Sequence, residues 1–120
     1  MKSLKIGIMP REQYQKRILA IAAGSYKPKA GEPKIWFSSM KSMAEVLSEH
    51  NMRLLQLIAE EKPQSLKELA QLSGRKESNL SRTLHTLHHY GIVDLRKGEH
   101  GRSIVPVVMA NRFDIQAALS

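Results

Sequence analysis

A chain of 120 residues has room for one compact domain with an arm or extension, and hardly for two independent cores. Nineteen Lys and Arg against eleven Asp and Glu leave a formal net charge of +8, which favours a polyanionic partner, either nucleic acid or an anionic membrane surface. The lack of cysteine excludes disulfide stapling, a thiolate metal site and a Cys nucleophile together.

Hydrophobic residues make up 42% of the chain and are spread along it, enough for a core and against wholesale disorder. The longest wholly apolar runs, Ile18 to Ala23 and Val107 to Ala110, fall far below the roughly 18 residues a membrane span needs. Pro10, Arg11 and Glu12 interrupt the N-terminal region before a signal-peptide core develops. The expected location is therefore the cytoplasm, with no membrane partner.

Leu4, Ile6 and Ile8 alternate with Lys5 and Gly7, the period of a short half-buried strand. A helix is predicted over 10–23, opened by Pro10 and ended by Gly24, with Tyr14, Ile18, Ile21 and Ala22 near one side. Residues 27–34 hold Pro28, Gly31 and Pro33 among charges and read as a linker. Ile35, Trp36 and Phe37 are β-prone, and Trp36 suits either a core or a dimer contact. Ser38 or Ser39 can cap a helix carrying Met40, Met43, Ala44 and Leu47. Ser48 or Asn51 can restart it, and Leu54, Leu55 and Ile58 continue its apolar stripe until Lys62 and Pro63.

From Ser65 the pattern becomes specific. Ser65 and Glu68 form a capping box, the hydroxyl and the carboxylate each satisfying the other's backbone donor. Leu66, Leu69, Ala70 and Leu72 give that helix an apolar face, and Ser73 to Lys76 supply a short Gly-containing turn. On the next helix, about Glu77 to Tyr90, Leu80, Leu84 and Leu87 lie on one side at about 100° per residue. Ser78, Arg82, His85 and His89 then fall opposite, with Asn79, Ser81 and Thr86 on the flanks. Arg can bond guanine O6 and N7 in a fork, Asn can do so with adenine N6 and N7, and Ser and Thr reach phosphates or bases. After Gly91, strands at Ile92 to Leu95 and Ile104 to Val107 make a hairpin, joined by a basic tip from Arg96 to Arg102.

The run SLKELAQLSGRKESNLSRTLHTLHHYGIVDLRKGEHGRSIVPV resembles the winged helix-turn-helix domains of small regulators, broadly of the MarR and ArsR type, over residues 48–108. That resemblance implies an α+β fold, mainly helical, with a small β-hairpin wing. It also implies that Ser78, Asn79, Ser81 and Arg82 approach bases, while Lys76, His85 and Arg102 contact backbone or minor groove. Arg96, Lys97 and Arg102 of the wing are expected near phosphates or a minor groove. The N-terminal strand and helix, with EPKIWFSSM, also resemble those of DNA-binding antitoxins of toxin-antitoxin pairs.

The expected organisation is a strand-helix extension and linker over 1–34, used for dimerisation, a DNA-binding domain over 35–108 and a C-terminal segment over 109–120. Ile6, Ile8, Ile18 and Ile21 are the apolar surface assigned to the dimer. The expected function is a sequence-specific regulator of double-stranded DNA, a repressor acting as a homodimer whose two recognition helices stand roughly 34 Å apart. The alternative is an antitoxin that neutralises a protein toxin and represses its own operon. His85, His88 and His89 share one helical turn, but no carboxylate or Cys nearby in sequence completes a metal site. Ser81 and His85 are an i, i+4 pair without a supported third group, so no enzyme activity, cofactor or metal is expected.

Overall fold

The computed structural model describes residues 3–99, 101 and 103–117. In chain order these form β1 (Ser3–Ile8), α1 (Arg11–Ala22), β2 (Ile35–Phe37), α2 (Met40–Val46), α3 (Glu49–Glu61), α4 (Leu66–Ser73), α5 (Glu77–His89), β3 (Val93–Lys97), β4 (Ile104–Val108) and β5 (Arg112–Ala117). The architecture is α+β. No helix among the described residues is long and apolar enough to cross a membrane.

Three of the helices begin on serine caps. Ser48 Oγ accepts the Asn51 N–H at 3.1 Å to open α3, and Ser65 Oγ accepts the Glu68 N–H at 3.0 Å to open α4. The reciprocal half of the box expected at α4 is displaced by one residue. The Glu68 carboxylate accepts the N–H of Gln64 at 3.1 Å, rather than that of Ser65. A closed box stands instead at α2, where Ser39 and Ser42 exchange side-chain and backbone bonds. Serine at both ends of the motif does this without the carboxylate that the usual pattern carries.

One core unites α3, α4 and α5 with both β layers. Leu54, Leu55 and Ile58 of α3, Leu69 of α4, and Leu80, Leu84 and Leu87 of α5 are buried together with Ile92, Val93, Ile6, Ile35 and Phe37. Each such side chain contributes about 1.5–3 kcal/mol by leaving water. The Phe37 and Tyr90 rings stack at 4.4 Å between centroids, which joins β2 to the end of α5.

The hairpin pairs Val93 with Val108 through to Lys97 with Ile104. Arg96 and Lys97, expected in the connecting loop, are therefore the last two residues of β3. Their backbones have partners across the ladder in Val105 and Ile104, and the Gly98 N–H extends the pairing to Ser103 O at 2.8 Å.

The second sheet is wholly parallel, in the order β2-β1-β5. Each of the three segments expected from the sequence contributes one strand to it. Ile6, fully buried, lies in register between Ile35 on one side and Ile115 on the other. Of the residues assigned to a dimer, Ile6 is thus consumed inside the chain, whereas Ile18 remains 45% exposed on α1, a helix with no buried residue. Gly7 is dictated by its neighbour across the pair, because a Cβ there would stand 2.2 Å from the Trp36 ring.

In the predicted linker, residues 27–34, Lys27 to Gly31 and Lys34 are exposed, whereas Glu32 and Pro33 pack against the rest of the chain. Pro33 is buried, and Glu32 accepts from Arg17 Nη2 at 2.7 Å and from the Tyr26 hydroxyl. The Arg17 guanidinium also lies 5.1 Å over the Trp36 ring and 5.2 Å over that of Tyr26. Composition alone missed this because the partners are 15 residues apart and on different elements.

Candidate nucleic-acid interface

The candidate surface is built on the α4–α5 pair. Gly74 ends α4 in the left-handed region at φ 72°, where a side chain would be strained, and so lets the chain turn within two residues into α5. Leu80, Leu84 and Leu87 of α5 are each no more than 1% exposed, so the helix is held by that row and can expose only its opposite side.

That opposite side carries the residues anticipated from the sequence. Ser78, Asn79, Arg82, His85, Thr86 and His89 are exposed, as is Lys76, the residue before the first turn of α5. Ser81 is half-buried on the flank. Among the described residues Arg82 has neither a hydrogen-bond nor an ion-pair partner for its guanidinium. Thr86 Oγ1 instead donates to the Arg82 carbonyl at 3.2 Å.

Two of the histidines are tied to the backbone. His85 Nδ1 lies 2.7 Å from the Ser81 carbonyl, and His88 Nδ1 lies 3.0 Å from that of Val93. The Ser81–His85 pair consequently meets through a carbonyl rather than through the hydroxyl a nucleophile would use. No group of three His, Asp or Glu side chains among the described residues could hold a metal ion.

On the hairpin, Arg96 is exposed but engaged, with Nε donating to Asp94 Oδ2 at 3.0 Å. The same bond holds the Asp94 carboxyl below its ordinary range. Lys97 is exposed and stands at the end of β3, and Arg102 lies outside the described residues. The bond to Asp94 offsets part of the positive charge that the spacing of Arg96 implied.

Sequence reasoning missed the residue that locks the turn. Arg75 Nη2 donates to the His50 carbonyl at 2.7 Å and Nη1 to Asn51 Oδ1 at 3.3 Å. Asn51 in turn donates through Nδ2 to the Val46 carbonyl at 3.0 Å. The α4–α5 turn is thereby clamped to the junction of α2 and α3. Burial against that junction lowers the proton affinity of the Arg75 guanidinium. The available signal was a basic residue directly after the turn glycine, which reads equally well as a surface cation.

The chain belongs to the HVO_A0114 family, whose model matches residues 46–115. The match runs from the end of α2 into β5 and so takes in α3, α4, α5 and the hairpin, together with most of one edge strand of the parallel sheet. No curated protein and no solved structure matches the chain.

Proposed function

We propose that the chain is a winged helix-turn-helix regulator that binds double-stranded DNA as a homodimer in the cytoplasm and represses transcription where it binds. The observation that carries this reading is the two-sidedness of α5. A buried leucine row fixes the helix, and its exposed side offers Ser78, Asn79, Arg82 and His85, with Arg82 unpaired among the described residues. A net charge of +8 supplies the sequence-independent attraction to phosphates. In this reading α5 is the recognition helix, Arg82 and Asn79 read base edges, Ser78 and Ser81 support them, and Lys76 and His85 contact backbone. The β3–β4 hairpin is the wing, on which Lys97, Arg102 and, once released from Asp94, Arg96 meet phosphates. The chain acts by binding and not by catalysis.

The test is selection of a preferred duplex from a random library, followed by comparison of that duplex with a scrambled one. Arg82→Ala is expected to lose about 1–3 kcal/mol on the selected duplex and much less on the scrambled one. Equal losses on both would reduce Arg82 to a phosphate contact, and no loss on either would reject α5 as the reading element.

A further inference from the structure

Among the described residues the parallel sheet ends on two open edges, and they differ. β2 offers three residues, whereas β5 offers six with an unpaired backbone edge facing away from β1. Ile115 on β5 is 49% exposed although its neighbour in register, Ile6, is fully buried. Its strand mates Phe113 and Ala117 share its face, and Phe113 packs on the core. The other face of β5 carries Arg112 and Asp114, joined by an Nε–Oδ1 bond of 2.9 Å.

We propose that the outer edge of β5 pairs antiparallel with β5 of a second copy of this chain, about a two-fold axis normal to the sheet at Phe113. This deepens the homodimer of the proposed function and does not depend on DNA binding. Such an axis keeps each face of the strand on its own side and so must centre on a residue. Centring on Asp114 would set two carboxylates directly opposite, and centring on Ile115 would leave Asp114 facing Gln116. Centring on Phe113 places Arg112 opposite Asp114 of the second copy, twice, and merges the two existing ion pairs into an alternating cluster of four charges.

The apolar side agrees with this register. Phe113 meets Phe113 of the second copy, and Ile115 of the second copy comes beside Asn111, the bend residue that precedes β5. Asn111 helps to line an open groove of about 410 Å³ whose apolar part includes Met52, Leu55, Val108, Ala110 and Phe113 and whose polar part is Arg53, Gln56 and Glu60. The exposed isoleucine of each chain thus reaches the apolar part of a groove of the other, so one contact covers both surfaces.

Complementary charge reversal tests the arrangement on the full chain without DNA. Sedimentation equilibrium should show a wild-type dimer, and Arg112→Asp or Asp114→Arg alone should raise the dimer Kd about tenfold or more by opposing like charges twice. In an equimolar mixture of the two variants, one chain brings two carboxylates to the facing positions and the other brings two guanidinium groups. Mixing should therefore restore dimers that neither variant forms alone. Recovery on mixing also shows that both variants remain folded. Single variants that dimerise as tightly as wild type, or a mixture no tighter than its components, would overturn this interface while leaving a homodimer through another surface. A monomeric wild-type chain would overturn both the interface and the homodimer, and loss of duplex selection with an intact dimer would count against the DNA reading alone.

Discussion

The helical body formed by α3, α4, α5 and the hairpin, and the parallel sheet β2-β1-β5, are stabilised in different ways. In the body, elements adjacent in the chain pack on one another, α3 on α4, α4 on α5, and α5 on β3, and β4 closes back onto α3 and α4. The sheet instead brings Leu4 beside Phe113 and Ile6 beside Ile115, pairs separated by almost the whole chain. Local packing follows from short-range patterns that a sequence displays openly. The long-range ladder forms only after the loop-closure entropy has been overcome, so it depends on the body on which it rests and is the first of the two to open.

The most damaging single change belongs to the body. Leu84→Ala should cost about 2–5 kcal/mol, because a side chain only 1% exposed leaves a cavity beneath α5. Thermal melting should fall steeply, and binding to every duplex should weaken together. A variant that melted normally would mean that the leucine row does not anchor α5.

Gly7→Ala attacks the sheet alone. Its Cβ would overlap the Trp36 ring, and relief requires either the ring or β1 to move, at about 1–3 kcal/mol. Amide exchange should accelerate in β1, β2 and β5 before it does so in α5. Uniform acceleration would show that the two regions open as one unit.

At the joint between helices, Arg75→Met keeps most of the side-chain length but removes the bonds to His50 and Asn51. The expected loss is about 1–2 kcal/mol of stability, since charged hydrogen bonds at a half-buried site are stronger than neutral ones. Duplex binding should weaken more than melting suggests, because the turn sets the angle of α5. Unchanged binding with lowered stability would make Arg75 a clamp without influence on the exposed face.

The smallest effect is an acid one and concerns the packing of residues 24–34. The bonds from Tyr26 and then Arg17 hold the Glu32 carboxyl below its ordinary value of 4.5. A lowered folded value means that this stabilisation is present above the unfolded value and disappears as pH falls through the folded one. Glu32→Gln should therefore flatten the decline in melting temperature below about pH 4.5. An identical acid profile in the variant would exclude Glu32 as a contributor.

The legibility of the sequence follows the same division. The helix over 10–23, the restart at Ser48, the cap at Ser65 and the leucine row of α5 are all legible in the residues themselves, because each depends on neighbours within about one or two turns. The exposed face of α5 follows by arithmetic from the buried one. Arg96 and Lys97 read as loop because a hairpin's ladder length depends on its partner strand rather than on its own composition. Arg75 escapes a sequence reading for a similar reason, since its partners lie 24 and 25 residues earlier.

By itself, then, the sequence determined the capped amphipathic helices, the turn at Gly74 and the side of α5 left to solvent, all consequences of helical period and of the conformational preferences of Ser, Gly and Pro. Only the tertiary structure decided that Arg112 to Ala117 form a strand, that this strand lies beside β1, and that Ile6 is core rather than surface. The alternation of Phe113, Ile115 and Ala117 was present in the text, but alternation states only that a strand has two faces. Its neighbour is chosen by which long-range pairing buries Ile6, and that choice belongs to the folded chain as a whole.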